Sequence, residues 1–232
     1  MKLRLPDVTV VAIDCVAHGL TKLALKDTLD LIEPGDTIVF SDEIFNSYSV
    51  ECKCFSILDV ANLLWHNVHT FVNTTHILII QWDGFVINPN MWDDKWLQYD
   101  YIGAPWPWHD SYYIGNGGFS LRSKDLMKHL AKNQSRFPVL HPEDDTLCRR
   151  YRPILELTMG FQWAPKSIAE KFSLEHGEMR SSFGFHDCRN FPRILSSNAI
   201  TKRLNLANDY VRSKTEWQGL CQSLESVGTQ VC

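Results

Sequence analysis

The sequence has no run approaching the roughly 18 consecutive apolar residues that a membrane helix needs. It carries no excess of positive charge: the formal net charge is -4, which excludes the basic field that nucleic-acid binding requires. It has no Walker-type glycine-rich phosphate loop and no histidine-rich di-metal constellation. Internal repeats, low-complexity tracts and linker-like stretches are also missing. Seven cysteines are present, but only Cys52 and Cys54 are neighbours. Their C-x-C spacing has no second Cys or His pair to complete a zinc pattern. The opening "MKLRLPDVTVVAIDC" interrupts its apolar run with Asp7 and Asp14 and lacks a small-residue cleavage site, so it reads as a first strand and not a signal peptide. Together these absences lead to the expectation of a soluble, cytoplasmic chain with reduced thiols.

What is present is ordinary globular material: 232 residues, 44% hydrophobic and 22% charged, enough for one sizeable core. "DVTVVAIDC" (7–15) reads as a strand and "TKLALKDTLDLI" (21–32) as a helix. "EPGD" reads as a turn and "TIVFSDE" (37–43) as a second strand. "SILDVANLLWHNVHTFV" (56–72) has helical spacing, and "HILIIQWD" (76–83) is a third strand. The order β-α-β-α-β with continuous apolar strands predicts an α/β fold whose Rossmann-like N-terminal half carries a mainly parallel sheet. Ligands of such sheets gather at the carboxyl ends of strands, where Asp14, Asp42 and Asp83 fall.

Beyond residue 85 the alternation weakens. "MWDDKWLQY" reads as a short helix and "YDYIGAPW" as a strand entering a loop. "YIGNGGFSLRS" is strand-like. Ser123 is placed to cap a helix over 123–133, and the acids of "HPEDD" favour a helix start. The residues after about 198 form a polar extension with helical stretches (198–232), packed on a 1–197 domain or partly mobile. Trp82, Trp92, Trp96, Trp106 and Trp108 crowd one region. They serve equally as core or, in the loop "GAPWPWHDSYY", as flat faces that stack on sugars.

Four clusters carry the candidate chemistry: "QWDGF" (81–85), "GNGGFSLRS" (115–123), "HPEDD" (141–145) and "FGFHD" (183–187). Singly, each has a plain structural reading: a cap, a tight turn, a solvated helix start, a core histidine. In combination they supply what transfer from a nucleotide sugar needs. A carboxylate can take the proton of an acceptor hydroxyl. Oxygen and imidazole ligands suit Mn²⁺ or Mg²⁺ beside a diphosphate. Glycines admit close approach of a ligand.

The runs "YDYIGAPWPW…IGNGGFSLRS…PEDD…FGFH" resemble a bacterial and viral family of glycosyltransferase-like proteins grouped as a domain of unknown function. The likeness covers roughly residues 7 to 190. More broadly the arrangement resembles the GT-A class of nucleotide-sugar glycosyltransferases, including inverting β-1,4-galactosyltransferases. That resemblance implies a single GT-A-like domain and an inverting transfer of sugar from a nucleotide-sugar donor, UDP-linked by analogy, to a hydroxyl of a glycan or polysaccharide. It implies Asp144 as the catalytic base, with Glu143 as the neighbouring candidate. Asp83 would hold the last acid position of an Asp-x-Asp motif, and His186 would be the second metal ligand. Gln81 stands where the first acid belongs, which removes one negative charge from the Mn²⁺ or Mg²⁺ site. Asn116, Gly117 and Gly118 would line the donor, together with Gln81, Trp82 and Asp83. Ala12, Asp14, Ser41 and Asp42 would flank the nucleotide. Trp106 and Trp108 would meet the acceptor, and Arg122 and Lys166 are candidate diphosphate partners or else structural charges. Two other classes remain compatible with the residues: a sugar- or nucleotide-binding protein without catalysis, and a metal-dependent nucleotidyltransferase or hydrolase.

Overall fold

The computed structural model describes residues 1–54, 56–107 and 111–226. A six-stranded sheet forms the centre, in the order β3-β2-β1-β4-β6-β5. Its strands are β1 (Leu3–Ile13), β2 (Ile32–Ser41), β3 (Ser49–Glu51), β4 (His76–Ile79), β5 (Tyr101–Gly103) and β6 (Ser120–Ser123). The first four run parallel, and β6 is antiparallel to both β4 and β5. The fold is therefore α/β with a mostly parallel sheet.

Alternation along each strand builds two cores. Val11, Ile38, Phe40, Ile77 and Ile79 point to one face. Val8, Val10, Ala12, Val39, Leu78 and Ile80 point to the other. Successive side chains of a strand project to opposite faces, so an unbroken apolar run is what a doubly covered sheet requires. On the first face pack Leu64 and Trp65 of α2 (Ile57–His66), Val68 of α3 (Val68–Phe71), and Leu126, Met127 and Leu130 of α4 (Lys124–Lys132). On the second lie Leu25 of α1 (His18–Leu31), Trp96 and Phe172.

Local rules explain the helix starts. Ser56 Oγ accepts from Asp59 N at 3.2 Å, and Ser123 Oγ accepts from Leu126 N at 3.0 Å. Where α1 begins, Asp14 Oδ1 takes the N–H groups of Val16 and Ala17 at 2.9 and 2.8 Å.

Several expectations are corrected. "EPGD" is not a turn, because Glu33 and Pro34 pair with Arg4 and Leu5 inside β2. Strand β3 pairs with β2 only from Val39 onward, so Pro34 lies on a free edge where its missing N–H costs no ladder bond. The helix over 56–72 breaks at Asn67. The "MWDDKWLQY" region forms 3-10 turns at Pro89–Met91 and Asp94–Gln98. The helix expected from the acids of 143–145 becomes α5 (Glu143–Asp145), a π-helical stretch over Thr146–Tyr151 and α6 (Arg152–Met159). Pro153 cannot donate to the turn before it, and its ring crowds the preceding carbonyls, which widens that turn.

After α7 (Lys166–Phe172) comes a short strand. β7 (Ser173–Leu174) pairs in parallel with β8 (Gly184–Phe185). Beyond α8 (Phe191–Ile194), α9 (Ser197–Leu206), α10 (Asp209–Arg212) and α11 (Thr215–Ser226) close the chain. Ile200, Leu204, Val211, Trp217, Leu220 and Leu224 pack with Leu20, Phe85 and Phe191 in a third apolar cluster.

Candidate functional site

The parallel strands β1 and β4 end at a cavity of ≈ 610 Å³. Ile13 at the end of β1 lines it with Asp14 and Cys15 beyond, and Ile80, Gln81, Trp82 and Asp83 enter after β4. Asp83 does not sit on a simple strand end. Gln81 and Gly84 exchange backbone hydrogen bonds at 2.8 and 3.1 Å, a tight turn that presents Gln81 and Asp83 together.

Opposite this turn stands His186. The parallel register pairs Leu174 with Phe185, so the next residues, Glu175 and His186, leave adjacent strand ends side by side. Glu175 Oε1 lies 3.1 Å from His186 Nδ1 and accepts from Asn116 Nδ2 at 2.7 Å. Asn116 Nδ2 is also 2.9 Å from His186 Nδ1. A carboxylate on one imidazole nitrogen fixes the ring and leaves the other nitrogen for a ligand. That other nitrogen, Nε2, faces Gln81 Oε1 at 3.3 Å and Asp83 Oδ1 at 3.7 Å. Burial pushes the Asp83 carboxyl up to about 6, against the opposing pull of His186. Burial alone would lower His186, but Asp83 and Glu175 outweigh it and raise the imidazole to about 9. Their mutual attraction across 3.7 Å offsets part of the cost of burying both charges.

Among the described residues, three carboxylate oxygens are buried without a hydrogen-bond partner: Asp14 Oδ2, Asp83 Oδ1 and Glu175 Oε2. All three residues line this cavity. Asp83 Oδ1 and Glu175 Oε2 have only longer charge contacts, to His186 Nε2 at 3.7 Å and His176 Nε2 at 3.6 Å. Buried acceptors without a hydrogen bond are costly, and a cation or hydroxyl donors in the cavity would satisfy them. The set of Asp83 carboxylate, Gln81 amide oxygen and His186 imidazole suits Mn²⁺, which takes oxygen and nitrogen ligands.

The Gly117–Gly118 step joins this cavity wall to the acidic run. A Cβ on Gly118 would overlap His186 Nε2 and Gln81 Oε1, and one on Gly117 would overlap Glu143 Oε1. Gly117 donates its N–H to Asp144 Oδ2 at 2.9 Å. Just before it, Asn116 has a φ of 49°, a left-handed conformation that Asn tolerates better than most residues. Asp144 is not on the cavity itself but behind this step. Its carboxyl is raised, first by burial and then by the charge of Glu143.

Glu143 does a different job. It accepts from Arg122 at 2.7 and 3.2 Å and from Trp65 Nε1 at 2.7 Å. Arg122 is fully buried and its guanidinium lies 5.1 Å from the Tyr101 ring centre. Arg122 is thus a structural charge under the Gly-Gly loop and not a diphosphate partner. Lys166 forms a 3.9 Å pair with Glu170 along its own helix, away from the cavity lining.

Of the residues expected around the nucleotide, Asp14 lines the cavity, whereas Ala12, Ser41 and Asp42 do not. Ala12 is buried in the sheet core. Ser41 Oγ accepts from Glu43 N at 3.1 Å, and Asp42 pairs with His18 at 2.8 Å. Trp106 is 8% exposed and packs in the first core against Gly115, so its ring is not free to stack on an acceptor. Trp108 lies outside the described residues.

Sequence reasoning missed Glu175, Arg189, Tyr210, Lys214 and Glu216, and quoted Asp187 only as the last residue of "FGFHD"; all six are on the cavity. Asp187 has a φ of 80° and holds Arg189 by two hydrogen-bonding nitrogens. Tyr210, Lys214 and Glu216 come from the C-terminal extension, which is therefore a wall of the cavity. The local sequence around these residues matches no motif.

The family model described as "Protein of unknown function (DUF5672)" matches residues 36–186, a span that includes the Gln81–Gly84 turn, the Gly-Gly step, the acidic run and His186. The chain belongs to this family. A search of curated proteins finds no match. Among solved structures, a glycosyltransferase involved in glycosylation of the major capsid of PBCV-1 is similar at 12% identity and a TM-score of 0.49, covering 86% of this chain and 98% of its own. The apo-form glycosyltransferase GlyE of Streptococcus pneumoniae TIGR4 matches at 10% identity and a TM-score of 0.49, covering 96% of this chain and 64% of its own. An active-site mutant of LgtC matches at 11% identity and a TM-score of 0.47, covering 92% of this chain and 99% of its own. No helix among the described residues is long and apolar enough to cross a membrane.

Proposed function

We propose that this protein is a glycosyltransferase that moves a sugar from a nucleotide-sugar donor, with UDP-sugars favoured, to a hydroxyl of a glycan or polysaccharide, with inversion. One observation carries the reading: the Gly117–Gly118 step has a held carboxylate, Asp144, on one side and the His186–Asp83–Gln81 group on the other. The donor would occupy the cavity, with its diphosphate towards His186 and the cations Lys214 and Arg189 on the wall. The acceptor would approach over the Gly-Gly step towards Asp144.

In the reaction, the acceptor oxygen attacks the anomeric carbon and its proton passes to the Asp144 carboxylate. The bond from the anomeric carbon to the diphosphate oxygen breaks, and the nucleoside diphosphate leaves with the bonding pair. Asp144 suits this role because its proton affinity is raised, which increases its driving force as a base. Glu143 would hold the loop through Arg122 and leave the base position to its neighbour. Asp83, His186 and Gln81 would hold Mn²⁺ or Mg²⁺, which when bound neutralises charge on the leaving diphosphate.

The test is incubation with a panel of nucleotide sugars, with and without Mn²⁺, followed by analysis of the nucleotide released. Slow formation of nucleoside diphosphate from a preferred donor is expected, faster with Mn²⁺. Donors that all remain intact over a long incubation would point to a binding protein without catalysis. Inorganic phosphate or pyrophosphate as the product would point to a hydrolase or nucleotidyltransferase. Chelator-insensitive release of nucleoside diphosphate would remove the metal and keep glycosyl transfer.

A further inference from the structure

The C-x-C pair at Cys52 and Cys54 has no zinc-like partner nearby in sequence. Folding supplies one. Cys15 follows the end of β1, and Cys52 and Cys54 follow the end of β3, two strands on either side of β2. Hydrogen bonding of Cys52 N to Ser41 O at 2.9 Å turns the Cys52–Cys54 segment over the end of β2.

The three sulfurs then form a compact triangle. Sγ of Cys52 is 3.9 Å from Sγ of Cys15 and 4.0 Å from Sγ of Cys54, and all three atoms lie within 4.8 Å of one another. Tetrahedral Zn²⁺ with Zn–S bonds of about 2.3 Å requires sulfur–sulfur edges of about 3.8 Å. Two edges of the triangle match that spacing closely. A disulfide needs about 2.05 Å between sulfurs, far shorter than either edge, and would leave a third thiol over. Cys54 N also donates to Sγ of Cys15 at 3.3 Å, an outer-shell bond of the kind that supports a metal-bound thiolate. All three cysteines are free and half-buried.

We propose that Cys15, Cys52 and Cys54 form a Zn²⁺ site that ties the ends of β1 and β3 together at the rim of the cavity. Three thiolates select a soft or borderline cation over Mg²⁺ or Mn²⁺, so this site is chemically distinct from the Asp83–His186 group. Cys15 and Cys54 line the cavity, which leaves the fourth coordination position to solvent or a cavity ligand. The ion fixes the start of the wall formed by Ser56, Ile57 and Val60, which line the same cavity. Zinc at this site would bind whether or not the cavity transfers sugar.

The test uses the full chain, purified under reducing conditions. Zinc content is measured by atomic emission, and Co²⁺ is titrated into metal-stripped protein. One equivalent of zinc per chain is expected, with a thiolate-to-cobalt charge-transfer band that saturates at one equivalent of Co²⁺. Cys52→Ser and Cys54→Ser should lose both signals while keeping the wild-type circular dichroism. Cys148→Ser and Cys188→Ser, at buried thiols elsewhere, should keep both. Wild-type protein without bound zinc and without the cobalt band overturns the proposal, as does a Cys52→Ser variant that folds and retains the metal. If the serine variants fail to fold, the wild-type cobalt spectrum decides: tetrahedral thiolate bands support the site, and a spectrum of oxygen and nitrogen ligands alone overturns it.

Discussion

Gly117 donates its backbone N–H to Oδ2 of Asp144 at 2.9 Å, while the adjacent Glu143 is locked onto Arg122. Two neighbouring acids therefore do separable work. Asp144→Asn should lower turnover by roughly 10²- to 10⁴-fold, the usual worth of a positioned base, with little change in Tm at acidic pH, where the wild-type carboxyl is protonated. Glu143→Gln breaks a pair with a fully buried guanidinium, which should cost roughly 3–5 kcal/mol of stability. Thermal unfolding and donor turnover measured on both variants check the division. Unchanged turnover in Asp144→Asn removes that residue as the base.

The raised carboxyl of Asp144 fixes the sign of two pH effects. Burial and Glu143 make the folded protein hold this proton more tightly than the unfolded chain. The stability contribution is therefore fully present below the unfolded value of roughly 4 and is lost as pH rises through the folded value. Activity runs the other way, since a base must be ionised. The acidic limb of kcat/KM should lie above the ordinary carboxylate range. Denaturant titrations across that window should show the wild type losing stability relative to Asp144→Asn.

Gly118 is where a methyl group has no room. Gly118→Ala would push against His186 and Gln81, and the His186 ring or the Gln81 amide must shift. Donor affinity should fall at least tenfold, about 1.4 kcal/mol. Gly19→Ala provides a control. There the added carbon meets only the Leu206 side chain at 3.3 Å, away from the cavity lining, so calorimetric donor binding should be nearly unchanged.

Trp106 should behave as a core residue. Truncation to Ala is expected to cost roughly 3–5 kcal/mol, seen as a lower denaturation midpoint. In a protein kept folded at low temperature, acceptor KM should move little. A large KM change with intact stability would restore it as an acceptor wall.

Much of the first half of the fold was legible because its signals are local. Continuous Val/Ile/Leu strands need two covered faces, and Ser56 and Ser123 cap helices within three residues. The strand-like "EPGD" was not legible, since only pairing with β1 and a free edge make Pro34 acceptable there. The β7 strand at Ser173–Leu174 was likewise hidden, because two residues of strand exist only through pairing with β8.

Local sequence specified the parallel α/β half, the Gly-Gly step and the acidic run, because each is written in a few consecutive residues, whereas the Gln81–Gly84 turn that carries Asp83 read as the end of a strand. Tertiary structure decided what those residues meet. It set Glu175 beside His186 through the β7–β8 register, committed Glu143 to Arg122, sank Trp106 into the core, and made the C-terminal helices a cavity wall. It also gathered Cys15 with Cys52 and Cys54. Each of these depends on packing between segments far apart in the chain, which hydrophobic periodicity and short motifs do not encode.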